Sequence, residues 1–211
     1  MIAGFTLIHD VTLADRRILE GGNFFDYIWV GAKHMLTGYD HLLFLLGVVF
    51  FLTSIKDIVR FITAFTIGHS ITLIGATSIQ FGVNEFIIDA IIGLSVFYKG
   101  FENLDLFKKW LGIAAPNLLY MVFLFGLIHG LGLSARLQGM TQVSELSFLK
   151  TIGFNLGVEL GQILALIPMV WLINFWRKRS NFGALFKAVN TYLLVAGIVL
   201  LVIQLKHFFE H

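Results

Sequence analysis

His34, Asp40 and His41 lie in GAKHMLTGYDHLLFLL (residues 31–46), a stretch otherwise apolar enough to cross a membrane. An aspartate at the centre of a membrane helix costs about 2.5–3.5 kcal/mol on insertion scales. Ionisable groups persist there where they face a bundle interior, pair with one another, or bind something. In a straight helix His34 and His41 share one face, two turns or about 10 Å apart, and Asp40 sits about 100° round from His41. That distance is too long for one ion. Either the helix bends at Gly38, or the two histidines mark successive stations.

Three further apolar runs carry polar groups of the same kind. FTIGHSITL holds His69 and Ser70, with Thr66 one turn earlier and Gly68 leaving room for another helix or a ligand. FGLIHGLGLSA sets His129 between Gly126 and Gly130. FNLGVELGQ places Asn155, Glu159 and Gln162 at i, i+4 and i+7, on one helix face with Gly157 and Gly161 nearby. Asp89 adds a carboxylate near the start of another run. Imidazole nitrogens and carboxylates suit nickel, cobalt, zinc or ferrous iron. Taken singly, each histidine reads as a core imidazole bonded to a neighbouring helix, and each carboxyl as a protonated interhelical bond. Taken together, they point to one shared metal site made of His34, Asp40, His41, His69, His129 and Glu159. Asp89, Thr66, Ser70, Asn155 and Gln162 then serve as supporting partners or a proton relay.

The elements that must position these residues follow from composition. Of 211 residues 57% are hydrophobic and 13% charged, whereas soluble domains carry about 25% charged residues. Mean hydropathy is +0.85. The 22 Phe and 21 Gly suit helices packed in lipid. The chain reads as an all-α integral membrane protein. With no cysteine it has neither disulfides nor thiolate ligands, and a net charge of +2 gives no sign of nucleic-acid binding. Apolar runs near residues 27–52, 58–79, 86–105, 114–135, 148–174 and 183–206 predict a bundle of about six spans. The connections, such as TSIKD, SIQFGVN, LDLFKKW and QGMTQVSEL, are too short to fold as domains.

Residues 1–25 lack a signal-peptide core and read as a surface segment preceding a membrane domain over 26–211. His9 and Asp10 lie in it, with nothing requiring them at the site. The loops after the first, third and fifth spans hold nine basic residues: Lys56, Arg60, Lys99, Lys108, Lys109, Arg177, Lys178, Arg179 and Lys187. The opposite side, termini included, holds six. The positive-inside rule then puts both termini on the non-cytoplasmic side.

GYDHLLFLL, GHSITL, IHGLG and FNLGVELGQ, in this order, resemble the HupE/UreJ family of small membrane proteins over residues 27–206. GLSVFYKGFENL, residues 93–104, is similar to further elements of that family. The resemblance implies nickel or cobalt uptake across a bacterial inner membrane. A weaker similarity links the chain to nickel/cobalt transporters, which carry a histidine, four residues and Asp-His in one span and Gly-His-Ser in the next. Here five residues separate His34 from Asp40, which rotates His34 relative to its counterpart. Met35 also stands where typical HupE sequences have the proline of a His-Pro pair.

The expected function is a divalent transition-metal permease whose partners are the ion, the lipid bilayer and, as an open case, further copies of the chain. The rival is a membrane-embedded hydrolase, with Zn²⁺ held by histidines and Glu159 or Asp40 as general base. Ser70 is a poor nucleophile for such an enzyme, because adjacent helical residues point about 100° apart from His69. A metal-sensing or assembly subunit is a third possibility.

Overall fold

The computed structural model describes residues 15, 18, 21–140 and 148–210; His9 and Asp10 lie outside them. Among the described residues every regular element is helical: α1 (Phe24–Thr37), α2 (Tyr39–Val49), α3 (Ile55–Ser78), α4 (Glu85–Asn103), α5 (Leu118–Met140), α6 (Phe148–Arg177) and α7 (Phe182–Glu210). A short π-helical segment, Phe107–Leu111, joins α4 to α5.

Helix starts are written in the connections. Asn23 and Asp26 form a capping box at α1, and Ser54 and Asp57 form another at α3. Asn84 accepts from the Phe86 and Ile87 amides, and Asn117 from those of Leu119 and Tyr120.

Four helices are long and apolar enough to cross a membrane by length and composition: Ile55–Ser78, Leu118–Ala135, Leu149–Arg177 and Phe182–Glu210. The other two expected spans differ from these for visible reasons. α4 carries Glu85, Asp89, Lys99 and Glu102 along 19 residues. The first span is divided at Gly38, whose φ of −72° and ψ of 103° are extended, so α1 and α2 are two half-helices with separate axes. Lys99, assigned by its sequence position to a loop, is inside α4 and only 1% exposed.

Three closely packed pairs build the bundle: α3 with α5, α4 with α7, and α1 with α6. Glycine makes each pair possible. A Cβ on Gly68 would strike the Phe123 carbonyl, and one on Gly126 the Phe65 carbonyl. Gly31 and Gly157 hold α1 against α6, and Gly197 holds α7 against Phe97 of α4. Backbones approach this closely only without side chains between them. The space beside His69 and His129 is thus taken by the partner helix, not left for a ligand: a Cβ on Gly130 would meet the His69 carbonyl and Thr72.

The half-helix α2 is wedged among these pairs, touching α1, α4, α6 and α7, with Asp40, His41, Phe44, Leu45, Gly47, Val48 and Val49 all buried. Outward faces are apolar: Ile67, Ile71, Leu164, Ile167, Trp171, Val195, Val199 and Val202 are exposed, as lipid contact requires.

Candidate metal centre

The break at Gly38 decides the geometry. The His34 and His41 ring centroids are 5.3 Å apart, well under the two-turn separation of a straight helix. His129, from the middle of α5, brings its ring to 4.8 Å from that of His41. Three imidazoles from α1, α2 and α5 thus form a row at the level where the first span is interrupted. Half-helix ends at membrane depth supply unpaired backbone dipoles for an ion.

A small cavity, of a size for about one water molecule or one bare ion, is lined by His34, His41, His129, Asp89, Ile92, Gly132 and Leu133. Asp89, treated in the sequence as a supporting group, belongs to the same wall as the three histidines. It faces the cavity because α4 starts at the membrane side toward which α5 runs.

Hydrogen bonds fix the imidazole tautomers by the nature of the acceptors. His41 Nδ1 lies 3.0 Å from the Asp40 carboxylate, which also accepts the His41 backbone N–H at 2.8 Å. The carboxylate therefore holds the ring and neutralises the first turn of α2, where no other side chain caps it. His129 Nδ1 donates to the Phe125 carbonyl at 2.7 Å. His69 Nδ1 donates to the Asn155 side-chain oxygen at 2.9 Å. In all three rings Nδ1 faces an oxygen acceptor, so in the neutral imidazole Nε2 is the nitrogen with the lone pair. A metal-binding histidine needs this arrangement. His129 Nε2 is buried and has no hydrogen-bond partner among the described residues.

The site divides into two neighbouring parts. His69 does not line the cavity; its ring stacks on Phe65 at 5.8 Å, and Phe65 in turn lies 5.3 Å from His129. Asn155 passes the chain on, its amide nitrogen donating to Ser70 Oγ, which donates to the Thr66 carbonyl at 2.7 Å. Ser70 is a link between α3 and α6, with its proton held by a backbone carbonyl and not by a base.

Glu159 is half-buried on the α6 face it shares with Asn155, away from the cavity wall. Gln162 is fully buried, and among the described residues neither its amide atoms nor the buried Thr66 Oγ1 has a hydrogen-bond partner. Among the described residues, no group of three or more His, Asp or Glu side chains converges closely enough to hold a metal ion. The arrangement is a row of prepared imidazole acceptors, not a closed coordination shell.

Sequence reasoning missed the Phe125 carbonyl, Phe65 and the cavity residues Ile92, Gly132 and Leu133. A backbone acceptor leaves no mark in residue type, and ring contacts depend on how helices cross.

The family model described as HupE / UreJ protein matches residues 13–211, nearly the whole chain. No curated protein and no solved structure matches.

Proposed function

The chain belongs to the HupE/UreJ family, and from that premise we propose that it is a permease for a divalent transition-metal ion of the nickel and cobalt type. The observation that carries this reading is the state of His129: its Nδ1 is committed to the Phe125 carbonyl, and its Nε2 is left as an acceptor. That Nε2 is buried, beside a cavity that Asp89 and His34 also line. The ion, written as cargo, enters that cavity and meets His129, His41 and His34, with Asp89 offsetting its charge. His69 is the next imidazole inward, and Glu159, further along α6, takes up charge or protons as ligands change hands.

An open row of ligands suits transport, since an ion must leave as well as bind. Lys56 and Arg60 at the start of α3, Lys108 and Lys109 after α4, and Arg177, Lys178 and Arg179 at the end of α6 support a bacterial inner-membrane orientation with both termini outside the cytoplasm. Residues 1–25 are then a surface segment ahead of one membrane domain, and association of copies is compatible with the apolar outer faces.

Purified protein in liposomes carrying an internal metal-sensitive dye tests the reading. Nickel, cobalt or zinc should enter, and His41→Ala and His69→Ala should each abolish entry. Stoichiometric binding of one of these ions without any flux would remove the permease from consideration.

A further inference from the structure

Every residue around the imidazoles has a side of the bundle, and the two sides differ. The cavity lies toward the end where α4 begins and α5 finishes, as Asp89, Gly132 and Leu133 show. On the opposite side, one turn along α2 from His41, sits Phe44. Its ring centroid is 5.3 Å from Phe125, 6.3 Å from Phe61 and 6.4 Å from Phe65. These four rings come from α2, α3 and α5 and are all buried, and two of them reach the imidazole of His129, Phe65 at 5.3 Å and Phe44 at 6.1 Å. A constriction lined by phenyl rings excludes water, and with it a hydrated ion.

The ring at the centre of this plug rides on a half-helix set off from α1 by the extended backbone at Gly38. The far end of α2 is held through its carbonyls by side chains from two helices. Asn103 of α4 donates to the Gly47 carbonyl at 2.8 Å and to Asn190 of α7 at 2.5 Å. Arg177, at the end of α6, donates to the Phe50 carbonyl. Gly47 is pressed against α4 so closely that a Cβ there would lie 2.6 Å from Lys99 Cγ.

We propose that α2 is the moving gate of this protein: Phe44 is the barrier between the imidazole row and the Arg177 side of the membrane, and Asn103 and Arg177 are positioning residues that hold it shut. The same rigid half-helix carries Asp40 and His41 at one end, so releasing Gly47 and Phe50 shifts ligand and barrier together. The chemistry of the gate is dewetting, and its cargo is the cation of the preceding section; it rests on that reading for its purpose but not for its test.

The chain has no cysteine, so single cysteines in the full-length protein report access cleanly. Leu133→Cys lies in the cavity wall and Val48→Cys one turn beyond Phe44. Silver ion, a thiol-reactive cation small enough for the cavity, added to sealed vesicles from the Leu133 side, should label Leu133→Cys and spare Val48→Cys. A gate that opens in a state populated at the level of a few per cent leaves room for acceleration, so adding Phe44→Ala should raise Val48→Cys labelling from that side by about tenfold or more. Asn103→Leu should raise it too, from the same Leu133 side. If Phe44→Ala does not fold, Phe61→Ala, which removes the facing ring, reads the same opening. Equal labelling of Val48→Cys with Phe44 in place overturns the proposal. So does protection that persists in a folded Phe44→Ala protein whose Leu133→Cys still reacts. Labelling needs no transport: a protein that moves no metal but shows this asymmetry loses the permease reading and keeps the gate.

Discussion

Two buried polar clusters sit at different depths of the bundle, and they treat their polar atoms differently. At the Gly38 break His34, His41 and His129 meet at one cavity, and His129, its Nδ1 tied to the Phe125 carbonyl, keeps a buried Nε2 with no hydrogen-bond partner among the described residues. Near the Arg177 end most polar groups meet protein partners, with Asn103 Oδ1 and Arg177 Nε buried without one among the described residues. Lys99 pairs with Glu102 at 2.5 Å, its Nζ also 4.1 Å from the centre of the Phe51 ring, and Asn103 and Arg177 hold carbonyls of α2. His41, His129, Lys99 and Asn103 are all buried, so burial alone does not mark a binding site. The useful distinction is whether a polar group's remaining capacity faces another protein atom or a cavity.

The comparison is open to attack at several points. The largest effect should come from His129→Ala, which removes the orphaned acceptor. Metal flux in liposomes should fall by more than the roughly 10–100-fold seen when supporting groups of metal sites are lost, with little change in thermal stability. The opposite pattern is expected at the second cluster. Lys99→Met alone leaves Glu102 buried without its partner and should cost about 3–5 kcal/mol, read as a lower unfolding midpoint in detergent. Lys99→Met with Glu102→Leu should regain most of that stability. If Lys99→Met instead removes metal binding while leaving stability intact, the two clusters have been assigned the wrong way round.

A smaller, sharper effect belongs to Asn155→Leu. It frees His69 Nδ1, so metal affinity should drop by about 10–100-fold without loss of the fold. Binding isotherms of the purified protein check this, and an unchanged affinity would place His69 outside the pathway. Glycine substitutions test the frame on which both clusters hang. Gly126→Ala drives a methyl into the Phe65 carbonyl and should cost about 1–3 kcal/mol. Gly75→Ala, on the same α3·α5 pair but with nothing within 4 Å, should be neutral or stabilising by up to about 1 kcal/mol. Melting curves of the two proteins side by side give the difference.

Much of this was legible in the chain. The excess of apolar residues fixes a lipid environment, because no watery fold could bury so many. Asn23, Ser54 and Asn84 mark helix starts through local hydrogen bonds that need no distant partner. The helical spacing of Asn155, Glu159 and Gln162 fixes that they share a face. His34, Asp40, His41, His69 and His129 stand out because ionisable groups are rare at such depth.

Tertiary structure decided what these residues meet. Extended backbone at Gly38 brought His34 and His41 to 5.3 Å, and sequence spacing permitted a straight helix just as well. Helix register placed Asp89 in the cavity wall and left Glu159 outside it. It filled the space beside Gly68, Gly126 and Gly130 with backbone, and drew Lys99 inward from its expected loop. The division has one physical cause. Hydropathy, capping and periodicity act within a few residues, so they are written locally. Which atoms converge depends on how separate helices cross, and that is set by packing summed over the whole bundle.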